Sequence, residues 1–201
     1  MRSARDPAAV RYYHASPASH MIVACRADRV IGVAFSIAFG ATGWLGNVAV
    51  DPDARGQRVG TAVSAAAGDA LRGAGVSTVV LTATDLGRPI YDRLGFVPDG
   101  APYGIWQRAP GGGAVGGAAA DGGVVAGRFE DAVPLDAGAT GQDRGAYLAR
   151  LADRVLAPAG AGLAASLGFR QVRHIPRMRL GPPVPGFRPE RIFSTFSFAV
   201  G

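Results

Sequence analysis

The first hundred residues alternate apolar runs with short polar breaks, and the apolar period shifts from two to nearly four along the way. His20–Arg26 reads as a strand, Ala27-Asp28-Arg29 as a tight turn, and Val30–Phe39 as the antiparallel partner. Trp44–Val50 is a third strand. Asp51-Pro52 ends it, because proline has no N–H to donate and fixes its own φ. Gly60–Arg72 reads as a helix and stops at Gly73-Ala74-Gly75. Val76–Thr84 is a strand whose Val79-Val80-Leu81 run suits a central position covered on both faces. Arg88–Leu94 is a short helix with Pro89 near its first turn, closed by Gly95. Phe96-Val97 and Tyr103–Gln107 are two further strands. The fold class is α/β (α+β), a mixed sheet with flanking helices. Its strand-helix-strand piece should pair parallel with a right-handed crossover.

The pattern changes after residue 109. Residues 110–127 contain GGGAVGGAAADGGVVAG, a flexible linker by composition. Beyond it, Asp143–Leu156 and Ala159–Leu167 read as helices. Phe169–Leu180 and Arg191–Val200 read as strands around the loop GPPVPGFRPE. The expected domains are 1–109, a linker at 110–127, and a smaller unit at 128–201. Pro89-Ile-Tyr-Asp-Arg-Leu-Gly-Phe96 is echoed by Gly162-Leu-Ala-Ala-Ser-Leu-Gly-Phe169, with Ala164 where the first copy has Tyr91.

Composition narrows the function classes. The chain has 201 residues, of which 48% are hydrophobic and 18% charged, enough to bury a core. The net charge is +6, and all 21 basic residues are arginine, which points to GC-rich, bacterial-type coding. The arginines are scattered without a run, so they read as solvated surface with a few anion contacts, and no nucleic-acid partner is expected. A basic nucleic-acid-binding protein stays open as the last-ranked alternative. The single Cys25 excludes an internal disulfide. It lies in an apolar run and is expected to be buried and inert. His14, His20 and His174 are isolated, and no Cys/His cluster has metal spacing, so no metal is expected. Val30–Val50 is uncharged and long enough to span a bilayer. Its glycines, and the Phe39-Gly40-Ala41-Thr42-Gly43 break, favour two strands joined by a hairpin. The expectation is a cytoplasmic protein without a membrane segment or signal peptide.

The candidate chemistry lies between Asn47 and Thr61, NVAVDPDARGQRVGT. A strand runs to Val50, a polar loop carries Arg55, Gly56, Gln57 and Arg58, and a helix opens at Val59-Gly60-Thr61. The first-turn N–H groups of a helix lack internal partners, and its dipole adds partial positive charge there. Gly56 and Gly60 allow close backbone approach, so the stretch suits a phosphate or pyrophosphate. It is neither the Gly-Lys-Ser/Thr triphosphate loop nor the three-glycine dinucleotide fingerprint.

About thirty residues on comes Gly87-Arg-Pro-Ile-Tyr91-Asp-Arg-Leu-Gly-Phe96. Together the two motifs resemble the GNAT superfamily of acetyl-CoA-dependent N-acetyltransferases over about residues 20–108. Leu167-Gly-Phe169, Arg177-Met178-Arg179-Leu180-Gly181 and Phe196–Gly201 resemble a degenerate GNAT-like C-terminal unit of tandem bacterial members. The family loop reads Arg/Gln-x-x-Gly-x-Gly/Ala. Arg55 and Gly60 match it, with Arg58 where glycine is usual; Gln57-Arg-Val-Gly60-Thr-Ala62 also satisfies it one step later.

The resemblance implies acetyl-CoA as co-substrate, its pyrophosphate held by Arg55, Gly56, Gln57, Arg58, Val59, Gly60 and Thr61. It implies that Val48, Ala49 and Val50 align the pantetheine arm, and that Tyr91 is the general acid for the departing thiolate. Family members often have asparagine where Thr84 stands. Asp85, or a water, is left to deprotonate the amine, since the strand Trp44–Val50 has no carboxylate. Only about twenty residues precede the first hairpin, where the family places a strand and one or two helices. The implied function is direct acetyl transfer to a small-molecule or peptide amine, with a homodimer left open. The alternative is an inactive acyl-CoA-binding or regulatory protein.

Overall fold

The computed structural model describes residues 16–100, 102–107, 129–145 and 170–188. The expected linker, the helix 159–167, the strand 191–200 and most of the helix 143–156 lie outside these residues. Two compact units are present. One comprises Met1–Gly100, Pro176–Val184 and Phe196–Gly201, the other Ala101–Ile175 and Pro185–Thr195.

The first unit is built on a six-stranded sheet. Strands β1 (Ser19–Arg26), β2 (Arg29–Phe39) and β3 (Thr42–Val50) form an antiparallel meander, so the uncharged Val30–Val50 stretch is two strands. A 3-10 turn at Pro52–Ala54 leads to helix α1 (Val59–Gly73), which returns the chain to β4 (Thr78–Thr82), parallel to β3. Helix α2 (Arg88–Arg93) and the short β5 (Val97–Pro98) follow. The sheet is mixed but mostly antiparallel, with helices packed on it, as the residue pattern implies.

Helix α1 docks through Val63, Ala67 and Leu71, one stripe at four-residue spacing. They meet Ala34, Leu45, Val79, Leu81 and Met178 in a single core cluster. The helix comes close because the sheet has notches: a Cβ at Gly43 would lie 2.8 Å from Leu71 Cδ2, and one at Gly32 2.5 Å from Val59 Cγ1. Residues of opposite parity, Phe35, Ile37, Phe39 and Trp44, are buried as well. At β2 and β3 the sheet is therefore covered on both faces.

The last strand departs from the sequence reading. Phe169–Leu180 reads as one strand of a separate C-terminal unit. Pro176 breaks it into β7 (Arg170–Ile175) and β8 (Arg177–Leu180), which belong to different sheets. Strand β8 lies in the first sheet, between β4 and β5 and antiparallel to both. Its alternation explains the placement. Met178 and Leu180 pair with Leu81 and Val79 and join the core. Arg177, 2% exposed, forms an ion pair with Asp99, which Arg179 Nε also approaches at 3.2 Å. The Ala101–Ile175 part of the second unit thus falls in sequence between β5 and β8 of the first, and its Pro185–Thr195 part after β8.

In that second unit β6 (Tyr103–Gln107) pairs with β7 as a two-stranded sheet. Helix α3 (Phe129–Thr140) is an element the sequence pattern did not suggest. Asp136 on it holds the buried Arg144 through both carboxylate oxygens, one at 2.9 Å from Nε. Thr140 Oγ1 donates to Asp136 O at 2.8 Å.

Candidate functional site

Strand β3 changes character half-way. Its parallel pairing with β4 involves only Thr42, Gly43 and Trp44, opposite Thr78, Val79 and Val80. Beyond Trp44 it continues to Val50 paired with β2 alone, so one backbone edge has no strand partner. The β2 register shows why the strand bends there. Val33 pairs with Ala49 and Phe35 with Gly46, so Asn47 and Val48 together face Ala34. Two residues against one is a bulge, which redirects the backbone and increases local twist. Asn47 takes φ +50° to make it. Asparagine is one of the few residues other than glycine that visits this left-handed region readily. The sequence reading did not single out Asn47; its one signal is a polar residue after Gly46 inside an apolar run.

The loop after Val50 is braced. Asp51 Oδ1 accepts from the Asp53 amide at 3.0 Å and caps the 3-10 turn. Its Oδ2 accepts from Arg29 Nη2 at 2.6 Å. The Asp53 amide, and then Arg29 working against desolvation, hold this carboxyl below its ordinary range. The Gln57 amide is engaged within the protein: Nε2 donates to Asp53 O at 3.0 Å, and Oε1 accepts from Arg26 Nη2.

Arg58 occupies the position before the helix with φ +61° and ψ 12°. That is left-handed backbone, which glycine adopts without a Cβ penalty and arginine does not. The departure at Arg58 thus has a physical meaning, since the backbone here asks for glycine. The first intrahelical bond is Ala62 N to Arg58 O, at 3.0 Å. The amides of Val59, Gly60 and Thr61 precede it at the positive end of the helix dipole. Arg55 and Arg58 are exposed, and neither has an ion pair among the described residues.

Gly60 is the junction of the site. A Cβ there would lie 3.0 Å from Ile90 Cδ1 and 3.4 Å from Val50 Cγ2. The helix start, the end of β3 and the residue before Tyr91 therefore meet at one point. Gly60 is itself buried, so it serves close packing as well as any approach of a ligand. One turn on, Ser64 faces the Tyr91 phenol. Tyr91 is 6% exposed and sits edge-on to Phe96 at 5.7 Å between ring centroids. Burial pushes its pKa up to about 12, with Ser64 pulling weakly the other way. Thr84 Oγ1 accepts from the Gly87 amide at 3.2 Å and shapes the turn into α2. Asp85 and Leu86 beside it are exposed.

Cys25 differs from expectation. It is exposed, on the edge strand β1 at a register shift after Ala24. Among the described residues no helix is long and apolar enough to cross a membrane.

Residues 17–98 match the family model described as an acetyltransferase (GNAT) domain. No curated protein matches the sequence. A protein of Pyrococcus horikoshii assigned as an acetyltransferase superposes with a TM-score of 0.67 at 18% identity, covering 90% of this chain and 80% of its own; the likeness is one of fold. One of Agrobacterium tumefaciens, also assigned as an acetyltransferase, gives a TM-score of 0.45 at 20% identity over 49% of this chain and 75% of its own. The PaiA N-acetyltransferase of Thermoplasma acidophilum, solved with coenzyme A, gives 0.38 at 15% identity over 40% of this chain and 53% of its own.

Proposed function

We propose that this chain, whose residues 17–98 match the acetyltransferase (GNAT) domain model, is an acyltransferase that moves an acetyl group from acetyl-CoA to a primary amine by direct transfer. The observation that carries the reading is the junction at Gly60, where the helix start, the end of β3 and the Tyr91 segment meet. The amides at Val59, Gly60 and Thr61, with Arg55 and Arg58, hold the pyrophosphate. The pantetheine arm lies along the open edge of Val48, Ala49 and Val50. An amide there donates to the thioester oxygen as the amine nitrogen attacks; the N–C bond forms, the C–S bond breaks, coenzyme A leaves as its thiolate, and the amine proton passes to water or to the exposed Asp85 carboxylate. Both reactants are held together, so the attack is effectively intramolecular.

Tyr91 faces the departing sulfur. With its pKa raised to about 12, the phenol keeps its proton at neutral pH. A thiol near 8.5 is the stronger acid, so the phenol acts by hydrogen bonding to sulfur as negative charge develops there. The first test is calorimetric titration of acetyl-CoA, followed by thiol release with a panel of primary amines. Binding with release supports the reading; absence of binding by folded protein overturns it. Tyr91→Phe should lower turnover about 10²-fold, the effect of losing one hydrogen-bond donor to developing charge, with little change in acetyl-CoA affinity. Unchanged turnover removes Tyr91 from the mechanism.

The same phenol makes a stability prediction. Its folded pKa lies above the unfolded value of 10.0, so its contribution is complete below pH 10 and is lost as pH rises toward 12. At pH 11 the wild type should have lost about 1.4 kcal/mol from this group relative to pH 9. Tyr91→Phe should lack that loss, as read from urea midpoints at the two pH values.

A further inference from the structure

Two arginines of the β1–β2 turn reach across to the loop before α1, and they differ in what they meet. Arg29 meets a carboxylate. Its Nη2 lies 2.6 Å from Asp51 Oδ2 and 4.0 Å from Asp53 Oδ2, so its charge is answered within the protein. Arg26 meets an uncharged amide, Gln57 Oε1, and forms no ion pair among the described residues; its charge reaches Asp51 only at longer range, as the last of the influences that lower that carboxyl. Gln57 is fixed in turn by its own bond to Asp53 O at 3.0 Å. An amide orients a guanidinium without neutralising it. Gln57 is also next to Arg58, and three residues before Gly60.

We infer that Gln57 is a positioning residue that holds Arg26 as an un-neutralised cation beside the diphosphate loop, and that Arg26 thereby sets the preference for acyl carriers bearing the diphosphate-nucleotide end of coenzyme A over the bare pantetheine thioester. This rests on the acetyl-CoA reading above and deepens it. Arg26 comes from the edge hairpin, about thirty residues before the loop that the sequence points to. Its role follows from the contact and not from any motif. It acts on one end of the carrier only, because charge attraction falls with distance and is screened over about 10 Å at ordinary salt.

The test compares acetyl-CoA with S-acetylpantetheine, which has the same thioester and lacks the diphosphate. The readout is the ratio of kcat/KM for the two donors. Arg26→Gln removes the cation. Gln57→Glu keeps the contact with Arg26 and answers the charge, but gives up the Nε2 bond to Asp53 O. Both should lower the ratio about three- to tenfold, the size of effect expected from a positioned charge at an exposed contact. Both should also flatten the salt dependence of acetyl-CoA binding. Gln57→Glu exchanges the bond to Asp53 O for an exposed ion pair, so Gln57→Met, which removes the Arg26 contact and the Asp53 bond without adding charge, is the stability control; a merely structural role for Gln57 would move the thermal midpoint and leave the ratio at the wild-type value. Ratios within twofold of wild type in both charge-changing variants overturn the inference while leaving the acetyltransferase reading in place. A folded wild type that binds no acetyl-CoA overturns that reading, and the inference falls with it.

Discussion

The two ends of β3 are built for opposite purposes. At Thr42–Trp44 the strand is paired on both sides and buried, and Gly43 is pressed against Leu71. The neighbouring backbone is equally closed: Ser77 N and Thr78 N both donate to Ala41 O, and Thr78 Oγ1 donates to Pro182 O at 2.8 Å. At Asn47–Val50 the same strand has one paired edge, a bulge and partial exposure. Backbone groups left unpaired are costly unless something else meets them. The closed end is where the sheet is held together. The open end keeps hydrogen-bonding groups available for an extended ligand, which in the proposed function is pantetheine.

The contrast breaks most visibly at the closed end. Gly181 follows β8 with φ +109°, and a Cβ there would lie 2.3 Å from Ser77 O. A backbone oxygen has no rotamer by which to move aside. Gly181→Ala should therefore cost more than about 4 kcal/mol, read from urea denaturation. A wild-type midpoint would show that this end has slack which the contacts do not suggest. The open end should respond in the other currency, turnover. Asn47→Val puts a β-branched residue where φ is positive and should remove the bulge. Turnover should fall about 10²–10³-fold if the bulge aims the oxyanion donor. Asn47→Gly, which accepts the same backbone, should restore most of it. Equal turnover in the valine and glycine variants would separate the bulge from catalysis.

The difference between the two ends also tracks what the sequence disclosed. Apolar alternation located β1 to β4 within two residues at either end, because each strand packs at least one face on the core and register is thereby tightly specified. The motif around Arg55–Thr61 and the one around Tyr91 were legible as local patterns, and the structure brings them together at Gly60. Three features were not legible. Asn47 is one polar residue in an apolar run, and its left-handed backbone is a property of the pairing with β2. The Arg26–Gln57 contact links residues 31 apart, so no local pattern encodes it. Strand β8 reads from the sequence as part of one strand of the C-terminal unit, because Arg177-Met178-Arg179-Leu180 has the alternation of any half-buried strand. Only Asp99, answering Arg177, distinguishes its place.

The smallest expected effect lies where the two purposes meet, at Arg58. Its left-handed backbone costs about 1 kcal/mol relative to a residue that adopts it freely. Arg58→Gly should recover part of that, offset by the greater freedom glycine has in the unfolded chain, for a net gain of about 0.5 kcal/mol. The same change removes a cation without an ion pair from the head of α1, so acetyl-CoA affinity should fall a few-fold and depend less on salt. The two readouts then move in opposite directions, stability up and affinity down. That would mark Arg58 as a residue kept for its charge against the preference of its own backbone. Stability and affinity rising together would mean that the arginine side chain obstructs the approach of the phosphates, and that the amides of Val59, Gly60 and Thr61 are sufficient without it.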